Sequence, residues 1–477
     1  MGKKKSAIQK RGAKKALLMA TLKLFHALFT LASFAFVWIF FHREYLDRFD
    51  PNANCMICLV YTVVLILLLR TYNVYDVAYA RTTDNVIGQI FSDFISLGIV
   101  YIMGSILSGG LMNPLFLLGL GVVQCLWDMI WSKTAKTVYH RIYKRRKTVV
   151  VYRNEDDLKR VAEIRYLEHK FIIEKYLENP KDFKTLEGEL DGYQAVIVAG
   201  VNASLRNGIA KYCIEKGIMG YFAPHVGDVI MQGAQHLSSF SVPIMRVRRA
   251  SKSPYYLFAK RVFDILVSFL AIVLLSPVYL ITALAVKLYD RGPVFYKQVR
   301  LTKDGREFKI LKFRSMRTDA EKDGVARLAS EHDDRITPVG RFIRACRLDE
   351  LPQFFNIFAG DMSIVGPRPE RPEIAVQYEE QMPAFSLRLQ VKAGLTGFAQ
   401  VYGKYNTTPY DKLQMDLMYI NKMSISEDIR LIFATLRILF MPDSTAGINE
   451  GSTTALTEKA PDAETKTDEN TGTSINK

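Results

Sequence analysis

Two carboxylates stand side by side at Asp349 and Glu350, directly ahead of Leu351-Pro352. The turn Gly366-Pro367-Arg368-Pro369 follows within the same stretch, Arg347 to Glu370. Neighbouring residues on a helix point about 100° apart, so this pair does not share a proton as facing carboxylates do. It can address one centre from two sides, one group attacking while the other holds a metal. Arg368 lies between two prolines that fix φ, which preorganises its guanidinium for phosphate oxygens. An Asp-Glu dipeptide by itself is an ordinary solvated pair, so the surroundings decide.

Those surroundings resemble a family. Residues Lys260 to about Phe440 are similar to the bacterial sugar transferases, the monotopic phosphoglycosyl transferases. The blocks that carry the resemblance run in order: KRVFD (Lys260 to Asp264), GPVFYKQVR (Gly292 to Arg300), KFRSM (Lys312 to Met316), DELPQ from Asp349, GDMSIVGPRPE (Gly360 to Glu370) and GLTGFAQV (Gly394 to Val401). The nearest subtype is the large form, such as undecaprenyl-phosphate galactose or glucose phosphotransferases. The resemblance implies transfer of a hexose-1-phosphate from a UDP-sugar to undecaprenyl phosphate, with release of UMP. This step would initiate exopolysaccharide, capsule or O-antigen repeat-unit synthesis. It further implies that Asp349 is the nucleophile and carries a covalent phosphosugar, which predicts ping-pong kinetics.

Joining two phosphorylated substrates calls for cations around the site, and Lys297, Arg300, Lys312, Arg314, Arg341, Arg344, Arg347 and Arg368 are available. Arg314, Arg341 and Arg368 are the expected phosphate partners, and Lys312 and Gln400 are expected at the nucleotide-sugar. Glu350 is the expected ligand of Mg²⁺, a metal that takes one or two carboxylates together with phosphate oxygens. Asp361 and Ser363 read as ordering the turn before the proline clamp, and Lys412, Asp416 and Tyr419 as packing beneath the site. The chain departs from the family at Lys392-Ala393-Gly394, where Arg-Pro-Gly is common, and at Val401-Tyr402-Gly403-Lys404, where Val-Asn-Gly-Arg is common. Both bear on nucleotide and sugar selectivity. None of the seven histidines lies in a block that suggests acid–base work.

The elements that must position these residues follow from length and patterning. A chain of 477 residues accommodates two or three domains, and 49% apolar residues is high for a wholly soluble protein. The net charge of +16 comes without zinc-finger spacing or an RNA-binding signature, so it points to a membrane surface and phosphorylated substrates, not to nucleic acid. Cys55 and Cys58 form a C-x-x-C with no second pair, which fits a reducing compartment and no metal.

Apolar runs at Ala16–Phe41, about Cys55–Leu69, Ile87–Leu107 and Leu111–Trp131 approach the ~20 residues of a membrane-crossing helix. Basic residues before the first run and from Lys133 to Lys147 after the fourth, against Arg43 and Arg48 between, place both ends of the set in the cytoplasm. Val262–Val286 is a fifth run, basic on both flanks and interrupted by Ser276-Pro277. Proline removes a helical donor and serine can bond the freed carbonyl, so this run reads as re-entrant. Between lie a strand at Thr148–Tyr152, a helix at Glu155–Ile164, a strand at His169–Tyr176, a strand at Ala195–Gly200 and a helix near Ala203–Lys216. Strand–helix alternation implies a parallel sheet; RNEDD after the first strand replaces the dinucleotide fingerprint.

The expected fold class is a membrane protein of α plus α/β type. A basic N-terminus (1–15) precedes a four-helix transmembrane bundle (16–132) and a Rossmann-like α/β domain (148–249). A mainly helical catalytic domain (254–441) with a re-entrant membrane helix (262–286) and a disordered tail (442–477) follow. The expected location is the bacterial inner membrane, multi-pass, with the catalytic domain on the cytoplasmic face and a homodimer as a plausible assembly. Three other readings compete. A glycosyltransferase releasing UDP would want an Asp-x-Asp, and Asp333-Asp334 lacks that spacing. A non-catalytic membrane scaffold has no need of paired carboxylates beside a clamped arginine. A transporter is disfavoured by few spans and by an expected lack of charge within the membrane.

Overall fold

The computed structural model describes residues 2–42, 51–78, 82–162, 170–237, 242–250, 252–318, 320, 333, 335–403 and 407–438. The expected tail 442–477 lies outside the described residues, as do Arg43, Arg48, His169, His332, Asp334 and Lys404. The chain divides into two compact units, Met1–Asp228 and Val229–Lys477.

The first unit opens with four long helices, α1 (Gly2–Phe41), α2 (Pro51–Thr71), α3 (Thr82–Leu107) and α4 (Leu115–Ile142). All four are long and apolar enough to cross a membrane, over Ala13–Phe41, Asn54–Thr71, Thr82–Leu107 and Leu115–Ile142. This is a membrane protein. Leu24, Phe25, Leu59, Ile102, Leu118 and Leu126 stay exposed on the outer faces, the pattern of helices that meet lipid, not water. Inside, Phe34 stacks on Tyr61 with ring centroids 3.8 Å apart.

The interior is not purely apolar, which corrects the expectation of no charge within the membrane. His26, Asp93 and Asp128 are buried there. His26 Nε2 lies 3.1 Å from Asp128 Oδ1, Asp93 is within hydrogen-bond reach of Asp128, and Ser132 Oγ donates to Gln89 Oε1 at 2.8 Å. Gln89, Ser92, Asp93 and Ser96 recur at i, i+3, i+4 and i+7, so they share one stripe of α3. Averaged hydropathy hides such a stripe because its neighbours are apolar.

A parallel sheet follows, built from β1 (Arg146–Tyr152), β2 (Phe171–Glu178), β3 (Ala195–Ala199) and β4 (Met219–Phe222) in the order β2-β1-β3-β4. Between them run α5 (Glu155–Ala162), α6 (Phe183–Leu190) and α7 (Ala203–Lys216). The central strands are valine-rich and buried from Thr148 to Tyr152 and from Ala195 to Ala199, whereas edge strand β2 alternates inward and outward residues. Register with β1 runs to Tyr152↔Glu178, which carries β2 two residues past the expected end at Tyr176. The Asn202 side chain caps α7 by accepting from Leu205 N at 2.9 Å. Just before it, Gly200 has φ +71°, and a Cβ there would fall 1.8 Å from Asp157 Oδ2. The carboxylate of Asp157 thus fills the space beside Gly200, just past the carboxyl end of β3.

The second unit begins in α8 (Val226–Gln232) and an exposed antiparallel ribbon, β5 (Gln235–Leu237) with β6 (Ile244–Arg246). Helices α9 (Pro254–Leu274) and α10 (Ser276–Asp290) meet at a 61° bend. The break is local chemistry. Pro277 has no N–H for Val273 O, and Ser276 Oγ donates to that carbonyl at 2.8 Å. The KRVFD block then fastens α9. Lys260 Nζ pairs with Asp428 Oδ2 at 2.7 Å, Arg261 donates to Ile357 O and Phe358 O at 2.7 and 2.8 Å, and Asp264 accepts from Ile364 N at 3.1 Å.

The hairpin β7 (Phe295–Leu301) and β8 (Glu307–Phe313) precedes α11 (Pro338–Ala345), a 3₁₀ turn at Leu348–Glu350 and α12 (Gln353–Ala359). Next come β9 (Ser363–Val365), α13 (Pro372–Gln381) and a 3₁₀ segment at Pro383–Gln390. β10 (Gly394–Thr396), parallel to β9, leads into α14 (Phe398–Tyr402), α15 (Pro409–Lys422) and α16 (Ile425–Ile438).

Candidate active site

Asp349 and Glu350 occupy the 3₁₀ turn between α11 and α12, not a regular helix. Its entry residue Arg347 has φ 52°, a left-handed conformation that a non-glycine residue rarely adopts. Leu348 and Leu351 on either side of the pair pack against Tyr279, Val286, Phe313 and Ile343, and the Tyr279 hydroxyl donates to Leu351 O at 2.7 Å. The turn is therefore anchored to α10, the second limb of the bent helix pair.

Three cations hold Glu350. Arg368 Nη2 donates to Oε1 at 3.0 Å, Lys312 Nζ lies 3.5 Å from the same oxygen, and Arg347 Nη1 lies 3.7 Å from Oε2. Burial opposes ionisation of this carboxyl, but Arg368, Lys312 and Arg347 outweigh it and hold its pKa far below the usual carboxylate range. Asp349 behaves oppositely. Burial, then the adjacent Glu350 charge, push its pKa up, with only partial relief from Lys312, Arg344 and Arg368. Its carboxylate makes no hydrogen bond or ion pair among the described residues. One carboxylate is thus held in its charged form by three cations and tied in place, while its neighbour is raised in basicity. The cations outnumber the two carboxylates, so the site favours phosphate-bearing anions.

Of the residues expected here, the structure brings Lys312 and Arg368 to the carboxylates. Arg314 is buried and paired with Asp290, its Nη1 2.7 Å from Oδ2, at the end of α10. Arg341 is exposed on α11. Gln400 sits on α14 and donates Nε2 to Leu395 O at 2.8 Å; its Oε1 is buried without a hydrogen-bond partner among the described residues. Asp361 O accepts from Thr302 Oγ1 at 3.1 Å, and Ser363 is buried at the start of strand β9, ahead of the clamp. Asp416 and Tyr419 are buried in α15, where Tyr419 OH donates to Asp428 Oδ1 at 2.7 Å.

The Gly366-Pro367-Arg368-Pro369 clamp crosses the GLTG block at backbone contact. A Cβ on Gly366 would meet Lys392 O at 2.4 Å, and one on Gly394 would meet Gly366 N at 2.1 Å, so both crossings need glycine. Tyr279 and the buried Arg388 escaped the sequence reading. Each had a signal: a hydroxyl in an apolar run just after Pro277, and an arginine in the apolar segment Leu387–Leu389.

Glu350 offers hard oxygen donors of the kind Mg²⁺ takes, while among the described residues no group of three or more His, Cys, Asp or Glu gathers to hold a metal by itself.

Comparison with known proteins bears on this site directly. Residues 255–442 match the family model described as bacterial sugar transferase. Over 190 residues the chain is 43% identical to a UDP-N-acetylgalactosamine-undecaprenyl-phosphate N-acetylgalactosaminephosphotransferase of Aeromonas hydrophila, covering 39% of this chain and 45% of that protein. It is 44% identical over 182 residues to a UDP-glucose:undecaprenyl-phosphate glucose-1-phosphate transferase of Klebsiella pneumoniae, 37% of this chain and 39% of the relative. The match therefore spans less than half the length of these two relatives. With the exopolysaccharide production protein PSS of Rhizobium leguminosarum bv. phaseoli, the identity is 40% over 186 residues, 37% of this chain but 92% of the other. This chain thus covers nearly the whole of that relative, and it belongs to the bacterial sugar transferase family.

Proposed function

We propose that this protein transfers a hexose-1-phosphate from a UDP-sugar to undecaprenyl phosphate. The observation that carries the reading is the opposite tuning of two adjacent carboxylates under a clamped arginine. The names of the relatives support the substrate class. Asp349 attacks the sugar-bearing phosphorus, forming an acyl phosphate while the bond to the departing UMP breaks. An oxygen of the polyprenyl phosphate then attacks the same phosphorus, the acyl–phosphate bond breaks, and the carboxylate is regenerated. No net proton transfer is needed, which suits a site without a histidine. Arg368, with Lys312, neutralises the donor phosphates, and Arg347 and Lys312 keep Glu350 charged. Glu350 would hold Mg²⁺, whose charge would stabilise the leaving phosphate.

The bent pair α9–α10 is proposed to enter and leave the membrane on one side. Basic flanks and the Ser276-Pro277 break support this, and it keeps residues 254–441 on the cytoplasmic face of the inner membrane, where UDP-sugars are available. The sheet at 148–249 is proposed to be Rossmann-like in form and to act in assembly, including homodimer formation, and the step to initiate polysaccharide repeat-unit synthesis.

Membranes carrying the protein, incubated with labelled UDP-glucose, UDP-galactose and UDP-N-acetylgalactosamine, should move label into polyprenyl lipid and release UMP. Release of UDP instead would replace this reading with direct glycosyl transfer.

A further inference from the structure

A proline-flanked segment is poor in donors, since Pro367 and Pro369 have no N–H. Its carbonyls remain, and from Pro367 to Glu370 every one is taken. Pro367 O accepts from Gly394 N at 2.9 Å, Arg368 O from Arg388 Nη2 at 2.9 Å, Pro369 O from Arg300 Nη1 at 3.1 Å, and Glu370 O from Leu301 N at 3.0 Å. The contact to Arg368 itself comes from a buried charge. Arg388 is 3% exposed; its Nε and Nη2 lie 2.8 and 2.7 Å from Asp416 Oδ2, and its Nη1 lies 3.6 Å from Glu370 Oε1. Burial works against this guanidinium, but Asp416 and Glu370 more than offset it.

Buried ion pairs are seldom the most stable way to fill a core; apolar side chains of similar volume often do as well or better. What an apolar filling would not supply here is the hydrogen bond to Arg368 O. Pro369 confines Arg368 to extended conformations, and the Arg388 bond fixes the peptide plane that follows it. Together they set the direction in which the Arg368 side chain leaves the backbone, toward Glu350 at 3.0 Å.

We propose that Arg388, oriented by Asp416, is a positioning residue that aims Arg368 at the phosphates of the nucleotide-sugar donor without touching substrate. This rests on the reading of Arg368 as the phosphate partner.

The test is donor binding in an Asp349→Asn background, which does not turn over. UDP-glucose, UDP-galactose and UDP-N-acetylgalactosamine are titrated calorimetrically into detergent-solubilised full-length protein. Arg388→Lys keeps the charge that balances Asp416 and Glu370 but loses the planar fork, and is expected to weaken binding about tenfold, as is Arg368→Lys. The double variant is expected to bind no worse than Arg368→Lys by itself, because a misaimed lysine has nothing more to lose. Should Arg388→Lys yield no folded protein, Asp416→Asn is expected to give the same non-additive pattern. Losses that multiply overturn the inference and leave the phosphate reading of Arg368 intact. An Arg368→Lys variant that binds normally, or an Asp349→Asn protein that binds no UDP-sugar, removes that reading and the inference with it.

Discussion

At the scale of residues, the two carboxylates make opposite demands on the fold. Burial and the Glu350 charge raise the pKa of Asp349, so the folded chain holds this proton more tightly than the unfolded chain. Its contribution to stability is present at low pH and is lost as pH rises from the ordinary carboxylate value of about 3.9 through the raised one. At neutral pH its ionised form is strained, and Asp349→Asn is expected to unfold at a higher temperature than the parent while losing roughly 10³-fold or more in lipid-product formation. Label from a UDP-sugar should accumulate on the parent protein when lipid acceptor is withheld, with UMP released in equal amount, and never on the Asn variant. Continued turnover by that variant would remove Asp349 as nucleophile. Glu350 runs the other way. Its depressed pKa contributes stability above about pH 4.3, lost as pH falls toward the folded-state value. Glu350→Gln should therefore melt several degrees lower at pH 7, converge on the parent in strong acid, and need more Mg²⁺ for half-maximal rate. The acid limb of the pH–rate profile should belong to Asp349 and lie above the ordinary aspartate value; a limb at or below it would contradict the raised pKa.

At the scale of elements, what could be read in advance was whatever one segment decides for itself. Valine-rich runs at Thr148–Tyr152 and Ala195–Ala199 became strands because such side chains suit a sheet buried on both faces. The bend at Ser276-Pro277 is equally local, a missing donor answered one residue away. Whatever needed a partner from a distant element stayed hidden. The pairing of Arg314 is one such case, because its neighbours in KFRSM do not reveal Asp290, which comes from the far end of α10. The stripe of Gln89, Ser92, Asp93 and Ser96 was present as spacing but masked by the apolar residues between. Tyr279 is the element-scale link that matters most, since it ties α10 to the turn that carries Asp349 and Glu350. Tyr279→Phe keeps the ring and removes one hydrogen bond, worth about 1 kcal/mol. We expect a three- to tenfold fall in kcat, by roughly the factor such an energy implies, with little change in donor KM. A change confined to KM would show that the tie does not reach the reacting atoms.

At the scale of the whole molecule, the sites flanking α9–α10 decide topology. In a variant whose five native cysteines are replaced, single cysteines at positions 249 and 312 are both expected to be shielded from an impermeant thiol reagent in intact cells and labelled after lysis. Labelling of position 312 from outside would mean that the pair crosses outright. The polar stripe inside the four long helices carries a further consequence. Apolar side chains pack acceptably in several alignments, so greasy helices in lipid can slide or turn against one another at small cost. Donors and acceptors meet in one alignment only. With His26 on α1, Gln89 and Asp93 on α3, and Asp128 and Ser132 on α4, a shift of one turn in any helix strands several buried polar atoms at once. The stripe works as a key: it fixes which helices are neighbours and at what height, information that the surrounding leucines and phenylalanines do not contain.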